Sequence, residues 1–346
     1  MRLVEKHIIS KNHTYFKEID ALSFLAKNLY NQANYRVRQS FIKEGIYLNY
    51  NEIQKQLQNQ IDYKALPAKV SQQILILLDK NWKSFFKAIK DYSRHPEKYS
   101  GRPKLPQYKK KLKGRFVLIY TRQAISKVEL RKGLVKLSGT TIKIKTERQT
   151  IQQVRIIPKK NEYVIEIVYE KGEENRNLNK ANFISIDIGL NNLATITSNK
   201  INSLIVKGSV LKSVNQFYNK EKARLHSFIG DKGTSNRMIN LTNKRNKKVA
   251  DYLHKASRYI INQCLIHDIG TIIIGKNANW KQDINIGKKN NQAFVNIPHD
   301  TFIKMIEYKA KLLGITVILT EESYTSKCSF IDNEPLTKQV KYLGKR

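Results

Sequence analysis

The sequence predicts a multi-domain protein in which an α+β part precedes an α/β part. Three observations support this fold class. Two long stretches near the N-terminus carry apolar residues at helical spacing, and β-rich runs lie on both sides of them. A polar linker occupies residues 171–180. Beyond the linker, three short strands give way to alternating helices and strands.

The first part begins with a candidate strand at residues 2–9 and then becomes helical. Residues 17–43 predict a long helix that ends at Gly45, and residues 51–59 predict a shorter one. Pro67 opens a third helix that stops before Pro96. We expect these helices to form a helical domain over residues 15–97, with a basic outer face.

Six short β-rich runs follow, at residues 116–120, 127–130, 134–137, 141–145, 154–158 and 163–170. Strands of this length with turns between them are typical of a small barrel, and residues 2–9 would complete it. We therefore expect a β-barrel domain over residues 1–14 and 98–172, with the helical domain as an insertion.

The part after the linker predicts a second architecture. Its strands lie at residues 183–188, 193–197, 201–206, 271–274 and 315–319, and its helices at 209–228, 235–268 and from Pro298 to Gly314. A polar loop at residues 278–296 precedes the last helix. Three strands followed by helices and single strands in turn form an α/β layer of the ribonuclease H-like kind, here over residues 181–346.

The charge of the chain narrows the class of partner. Lys and Arg number 64 and Asp and Glu number 28, so the formal net charge is +36. Such an excess favours a nucleic acid as the partner. We expect no membrane association, because the sequence has no amphipathic anchor, lipidation signal or apolar run near the ~18 residues of a transmembrane helix. Two cysteines and no signal peptide fit a cytoplasmic protein.

Residues 98–115, KYSGRPKLPQYKKKLKGR, form what we call the basic segment. Prolines stiffen its path, cationic side chains can contact phosphates and tyrosines can stack on bases; a solvated loop is the alternative interpretation. The helix at residues 235–268 also has a basic first half. The candidate nucleic-acid-binding residues of these stretches are Arg102, Lys104, Tyr108, Lys109, Lys110, Lys111, Lys113, Arg115, Lys244, Arg245, Lys247 and Lys248.

Acidic residues near strand ends are the candidate catalytic groups. Asp187 lies near the end of the strand at residues 183–188, and Glu321 and Glu322 follow the last strand. Phosphodiester hydrolysis on a ribonuclease H-like layer uses two Mg²⁺ ions held by carboxylates. We predict Asp187, Glu322 and, as the weaker choice, Glu321 as catalytic acids, with Asp187 and Glu322 as Mg²⁺ ligands. The alternative is that Asp187 only caps a turn.

The spacing of the cysteines and histidines does not favour a zinc site. Cys264 and His267 have ligand-like spacing within a helix but no second pair nearby, and Cys328 has no CxxC partner, so zinc is not expected from them. The sequence contains no GxxxxGK[ST] motif, which leaves an ATP-driven motor unsupported.

Several stretches together resemble one protein family. They are LYNQANYRVRQSF, LPAKVSQQIL, NWKSFFKAIK and KYSGRPKLPQYK in the first part, and FISIDIGLNNLAT, GKNANWKQ, GKKNNQAFVNIPH and EESYTSKCSFID in the second. The chain is similar along its whole length to the TnpB family of transposon-encoded RNA-guided DNA nucleases, relatives of type V CRISPR effectors.

The resemblance implies a wedge-type barrel interrupted by a helical recognition domain, then a RuvC nuclease domain. It implies a guide RNA from the transposon end, a double-stranded DNA target and Mg²⁺. Asp187 matches the first RuvC acid. The second acid of the family falls at Gly275, a departure for which Glu322, or less well Glu321, is the expected replacement.

Two further departures concern zinc and the C-terminus. The TSxxCSxCG zinc pattern of the family retains only Cys328 here, so zinc is doubtful. Family members continue past a segment like YLGKR into a helix that carries the third RuvC acid. Asp332 and Glu334 are poor stand-ins for it, and the resemblance implies a C-terminally short chain with impaired cleavage.

The hypothesis from the sequence is therefore an RNA-guided DNA endonuclease of a bacterial or archaeal transposon, acting at the nucleoid. The alternatives are a nuclease-dead RNA-guided DNA-binding protein or truncated transposase remnant, and a plain basic RNA-binding protein.

Overall fold

A computed structural model describes residues 1–230, 233–277, 287, 297–325 and 327–344. The chain divides into two compact units, Met1–Lys171 and Gly172–Arg346, which we call the N-terminal and C-terminal units. The assignment of wedge, recognition and nuclease domains to parts of these units stays a prediction. Among the described residues, none of the helices has both the length and the apolar character needed to cross a membrane.

Four helices of the N-terminal unit pack together. They are α1 (Phe16–Glu44), α2 (Tyr50–Leu57), α3 (Ile61–Lys64) and α4 (Ala68–Tyr92). The long helix α1 ends at Gly45, whose positive φ of 70° suits a glycine at this position. Trp82 of α4 is fully buried in their core, and its Nε1 donates to Asn34 Oδ1 of α1 at 3.1 Å. The predicted helices are therefore present, and α3 is an additional one.

The strands of this unit are β1 (Arg2–Ser10), β2 (Leu118–Thr121), β3 (Leu134–Lys136), β4 (Lys143–Lys145), β5 (Ile151–Lys159) and β6 (Glu162–Glu170). Four of them form an antiparallel sheet in the order β1-β6-β5-β2, and β3 pairs with β4 in a separate ribbon. Since β1 and β2 are sheet neighbours of β6 and β5, the helices α1 to α4 are inserted between two strands of one sheet.

Two expectations for this unit are wrong. Within residues 1–171, all described, the four-stranded sheet is open, with β1 and β2 as unjoined edges, so the predicted barrel is not closed. The predicted strand at residues 127–130 is helix α5 (Lys127–Arg131), because Ser126 Oγ accepts a hydrogen bond from the Glu129 N–H and caps a helical turn. Four residues are too few for periodicity to separate a strand from one turn of helix.

The C-terminal unit is built on a five-stranded sheet. Its strands are β7 (Phe183–Asp187), β8 (Asn192–Ser198), β9 (Leu204–Lys207), β10 (Thr271–Gly275) and β11 (Thr316–Thr320), in the order β11-β10-β7-β8-β9. β7, β8 and β9 run antiparallel, whereas β10 and β11 run parallel to β7. The described helices are α6 (Ser209–Ile229), α7 (Asn236–Ile266) and α8 (His299–Lys311). The polar loop predicted at residues 278–296 lies outside the described residues, apart from Gly287.

A lysine lies inside the core of this unit. Lys309 of α8 is 4% exposed, and its Nζ donates to the His254 carbonyl at 2.8 Å and to Ser257 Oγ of α7 at 2.6 Å. Burial lowers the pKa of Lys309 from 10.5 to about 8, and the charge of Arg258 adds to this effect. The ammonium group is therefore a destabilising element at neutral pH.

Replacing Lys309 by methionine is expected to stabilise the C-terminal unit by about 2 kcal/mol at pH 7. The gain from removing a buried charge is expected to exceed the cost of losing its two hydrogen bonds. In the wild type the unfolded lysine holds its proton up to a higher pH than the folded one. Stability therefore rises as the pH increases from about 8 towards 10.5, by about 3 kcal/mol in total.

The measurement is urea unfolding of wild type and Lys309→Met at pH 7 and pH 9.5, with Lys304→Met on the exposed side of the same helix as the control. We expect the difference between wild type and Lys309→Met to shrink at the higher pH. A loss of stability on substitution at pH 7 would contradict the destabilising role of the charge.

Candidate functional site

Three parallel strands of the C-terminal unit end at the same edge of its sheet. Asp187 is the last residue of β7 and Gly275 the last of β10. Ile186 is in register with Ile274, so Asp187 and Gly275 follow side by side, and Gly275 is in register with Thr320, the last residue of β11. Glu321 and Glu322 leave the sheet at this same edge.

The carboxylate of Glu322 lies over Gly275. A Cβ atom placed on Gly275 would come within 1.5 Å of Glu322 Oε1 and 2.0 Å of its Cδ. Gly275 does not have a positive φ, so its backbone would accept another residue, and the restriction comes from the occupied space. The structure thus brings an acid from the end of β11 into the position that a side chain from the end of β10 would take.

Glu322 and Asp187 influence each other electrostatically. Glu322 is partly buried; this burial raises the pKa of its carboxyl group, and the negative charge of Asp187 raises it further. Asp187 itself is exposed at the edge of the sheet. Glu321 points elsewhere, since it is exposed and its Oε1 accepts a hydrogen bond from Ser323 Oγ at 2.6 Å. Of the two adjacent acids, Glu322 is therefore the one that approaches Asp187.

Two carboxylates that repel each other, one of them partly buried, are suited to bind a hard divalent cation, because such an ion would relieve the repulsion between them. Asp187 and Glu322 fit this requirement for one ion. Groups of three or more His, Cys, Asp or Glu side chains suited to a metal do not occur among the described residues. The role of Asp187 and Glu322 as catalytic metal ligands stays a prediction.

Gly189, two residues after Asp187, has a structural reason to be glycine. A Cβ atom there would lie 2.9 Å from the carbonyl oxygen of Asn192. Glycine at position 189 therefore allows the close packing of backbone atoms within the turn between β7 and β8.

The acids considered as stand-ins for a third ligand are used within the C-terminal loop. Glu334 accepts hydrogen bonds from the backbone N–H groups of Ser329 and Leu343, and Asp332 bonds to Ser329 Oγ. Cys264 is fully buried in the core, where burial raises the pKa of its thiol to about 12, and Cys328 Sγ donates to the Pro335 carbonyl. These contacts favour structural roles for all four residues.

The basic segment is an extended chain held against helix α1. Side chains of α1 bind its backbone: Lys27 Nζ donates to the Lys111 carbonyl at 2.7 Å, Asn34 Nδ2 to the Pro106 carbonyl at 2.9 Å, and Asn31 exchanges two hydrogen bonds with Lys109. Arg38 Nη1 also donates to the Pro106 carbonyl. These four side chains recur every three or four residues along α1, so they form one row on its surface.

Because α1 binds the backbone of the basic segment, most of the cationic side chains of the segment face solvent. The Lys109 ammonium also lies over the rings of Tyr30 and Phe116, 5.4 and 5.6 Å from their centroids. The exposed cations are Lys98, Arg102, Lys104, Lys109, Lys110, Lys111 and Lys113. Tyr108 is exposed as well, and its ring centroid lies 5.1 Å from the guanidinium carbon of Arg38. The sequence analysis did not identify the row of α1 side chains that binds this backbone. The pattern that could have indicated it is a set of polar residues at helical spacing beside the apolar stripe of the helix.

Arg115 differs from the other cations of the segment. Its Nε and Nη2 donate to the two carboxylate oxygens of Asp20 at 2.9 and 2.7 Å, and Tyr163 OH donates to the same carboxylate. The Arg115 hydrogen bonds hold the pKa of Asp20 below its usual value. This internal ion pair gives Arg115 a structural role in fastening the end of the basic segment.

The basic first half of α7 also divides into two kinds of residue. Lys244, Lys247 and Lys248 are exposed. Arg245 is half-buried, and its Nε donates to Asn215 Oδ1 of α6 at 2.8 Å. The nucleic-acid-binding role of both basic stretches stays a prediction.

Comparisons with known proteins agree with this architecture. Residues 166–281 match the OrfB_IS605 family, described as a probable transposase, and residues 299–341 match the Cas12f1-like TNB domain. A TnpB-like protein of Methanocaldococcus jannaschii is 28% identical over 120 residues, which are 34% of this chain and 43% of that protein. The matched stretch therefore covers less than half of that relative.

A solved structure shares the fold of the chain. The Cas12f1 chain of a Cas12f1–sgRNA–target DNA complex superposes with a TM-score of 0.56 at 14% sequence identity, over 93% of this chain and 76% of the Cas12f1 chain. At this identity the likeness concerns the mixed α/β fold.

Proposed function

Because this chain belongs to the TnpB family, we propose that it is an RNA-guided DNA endonuclease of a transposon, with its nuclease site at the sheet edge formed by Asp187 and Glu322. The observation that carries the proposal is the placement of Glu322 over Gly275, beside Asp187. Glu322, which follows β11, thereby supplies a second carboxylate beside Asp187 of β7, although the strand between them, β10, ends in Gly275.

The strand order β11-β10-β7-β8-β9, with three antiparallel strands followed by two parallel ones, supports a ribonuclease H-like, RuvC-type layer for the C-terminal unit. In this proposal the N-terminal unit corresponds to the wedge-type and helical recognition domains. The open sheet with helices inserted between β1 and β2 supports that correspondence.

Asp187 and Glu322 would hold Mg²⁺, which when bound activates water and stabilises the charge that develops on a phosphodiester. Each residue contributes differently. Asp187 is exposed, so a DNA phosphate can approach it, whereas Glu322 is half-buried and fixed by its neighbours. A second ion would need a ligand that the described residues do not place beside this pair.

The proposed partners follow from the charge of the chain and from the family. The exposed lysines of the basic segment would contact the phosphates of a guide RNA derived from the transposon end. The guide would then select double-stranded DNA by base pairing. The bound partners of the Cas12f1 relative, an sgRNA and a target DNA, are of the same two kinds.

Cleavage of a plasmid by the protein copurified with its native flanking RNA tests the proposal. We expect guide-matched cutting that requires Mg²⁺ and stops in EDTA. Cutting is expected to be lost in Asp187→Ala, because this change removes one of the two carboxylates that would bind the ion. Asp332→Ala, whose side chain bonds within the C-terminal loop, is the matched control and is expected to cut like wild type. Undiminished cutting by Asp187→Ala would contradict the assignment.

One observation favours a second candidate, guide-directed DNA binding without cleavage. In the described part of the C-terminal unit, Asp332 and Glu334 are bonded within their own loop, and a third acid does not join Asp187 and Glu322. Retention of guide-matched DNA without cutting in Mg²⁺ would support this candidate over the first.

A further inference from the structure

The segment after β10 contains an asparagine that binds the backbone of Glu322. Asn277 follows Gly275 by two positions, and its Oδ1 accepts a hydrogen bond from the backbone N–H of Glu322 at 2.6 Å. We propose that Asn277 is the positioning residue of the metal site: it fixes the backbone of Glu322 so that the carboxylate turns over Gly275 towards Asp187. This inference rests on the proposed function.

The Asn277 contact extends the pairing of β10 with β11 beyond the ends of both strands. The last paired residues are Gly275 and Thr320, and the next hydrogen bond runs from the Lys276 N–H to the Thr320 carbonyl at 2.8 Å. The Asn277 side chain then takes the place of a backbone acceptor for Glu322. The two chains therefore stay joined up to the residue that carries the acid.

Glu322 is held from its other side as well. Its carbonyl oxygen accepts a hydrogen bond from Thr325 Oγ1 at 2.9 Å. With both its N–H and its carbonyl engaged, the peptide groups on either side of the Cα atom are fixed, and so is the direction of the Cα–Cβ bond. This direction matters because Glu321, one residue earlier, points to solvent.

The turn that carries Asn277 is itself anchored. Lys276 Nζ forms an ion pair with Asp300 Oδ1 in the first turn of α8 at 2.8 Å. The partners of Lys276 and Asn277 thus lie on two different elements, α8 and the segment after β11. This arrangement ties the position of Glu322 to the body of the unit, which is what a ligand of fixed geometry requires.

The test measures metal binding directly. The full chain, free of nucleic acid, is titrated with Mn²⁺ alone, and unbound Mn²⁺ is followed by electron paramagnetic resonance. Loss of the partner that orients a ligand costs about 10–100-fold in metal affinity. We expect a loss of this size for Asn277→Ala, and a smaller loss for Asn277→Ser, whose neutral hydroxyl oxygen can accept a hydrogen bond without adding a carboxylate to the site.

Asn202→Ala is the matched control, because Asn202 is an exposed asparagine of the same unit, in the turn before β9. Circular dichroism in EDTA establishes that each variant is folded. A larger loss in Asn277→Ala than in Asn277→Ser supports the inference, since a general packing defect would not depend on the acceptor.

Two results overturn the inference, and they differ in meaning. If Asn277→Ala binds Mn²⁺ as tightly as Asn202→Ala while Glu322→Gln binds weakly, then Asn277 has no positioning role and the metal site stands. If Glu322→Gln and Asp187→Ala also bind like wild type, the metal site itself is wrong and the proposed nuclease function fails with it.

Discussion

Replacing Glu322 by glutamine is expected to lower Mg²⁺-dependent DNA cleavage by about 10³-fold, with guide RNA binding unchanged. Glutamine keeps the shape of the side chain and removes its charge, so the change isolates the role of the carboxylate. Metal-assisted stabilisation of a phosphodiester is worth several kcal/mol, and each 1.36 kcal/mol corresponds to a tenfold change in rate. Single-turnover cleavage of a guide-matched plasmid, at saturating protein, measures the effect.

The position of the acid can be tested separately from its presence. Because a Cβ at Gly275 would lie 1.5 Å from Glu322 Oε1, an aspartate at residue 275 places its carboxylate near that of Glu322. In a background of Glu322→Ala, the change Gly275→Asp is expected to recover part of the lost cleavage.

The matched control is Glu321→Gln, which alters the neighbouring acid that bonds to Ser323 and is expected to leave cleavage near wild type. Equal losses in Glu321→Gln and Glu322→Gln would mean that the two acids act only through general charge. Failure of Gly275→Asp to recover any cleavage in a folded protein would contradict the shared position of the two side chains.

Neutralising the exposed lysines of the basic segment is the second change with a large expected effect. Glutamine at Lys109, Lys110, Lys111 and Lys113 removes four cations from a segment whose backbone α1 binds at Lys109 and Lys111, so we expect the segment to keep its path. Each phosphate contact contributes about 0.7–0.9 to the slope of log K against log salt concentration. We expect the slope for binding of the native flanking RNA to become shallower by about 3, as measured by filter binding over a range of salt.

The control replaces four lysines of the same unit that already form ion pairs with carboxylates. These are Lys6 with Glu166, Lys83 with Asp79, and Lys132 and Lys143 with Glu129. Each of these lysines already has a carboxylate partner, although Glu129 serves two of them and Glu166 also pairs with Arg155, so their charges are partly compensated. Their replacement by glutamine is therefore expected to change the slope less. An equal change in both quadruple variants would assign RNA binding to net charge alone and leave the basic segment as a solvated loop.

Periodicity was sufficient for the long elements of the fold. Helices α1, α4 and α7 bury apolar stripes of many turns, and β7 to β11 carry branched apolar residues between clear turns, so their pattern is set locally. The closure of a barrel is a different kind of property. It depends on whether β1 and β2 meet, which is decided by pairing between residues far apart in the chain.

In the candidate site, too, local patterns indicated some residues, whereas the roles of others depend on contacts between distant parts of the chain. Asp187 and Glu322 could be chosen from the sequence as candidates because Asp187 ends one recognisable strand and Glu322 follows another. Asn277 could not be chosen, since its role depends on the register that brings Gly275 beside Thr320. Arg115 also gave no local sign that it pairs with Asp20, which is 95 residues away. Partners this distant appear only when the chain is folded.

The shared space of residues 275 and 322 constrains how such a site can change over generations. A side chain gained at position 275 while Glu322 is in place collides with it, and loss of Glu322 while position 275 is glycine leaves Asp187 alone. With the proposed function, each single substitution gives a protein with a defective metal site, so we expect positions 275 and 322 to vary together across related genes.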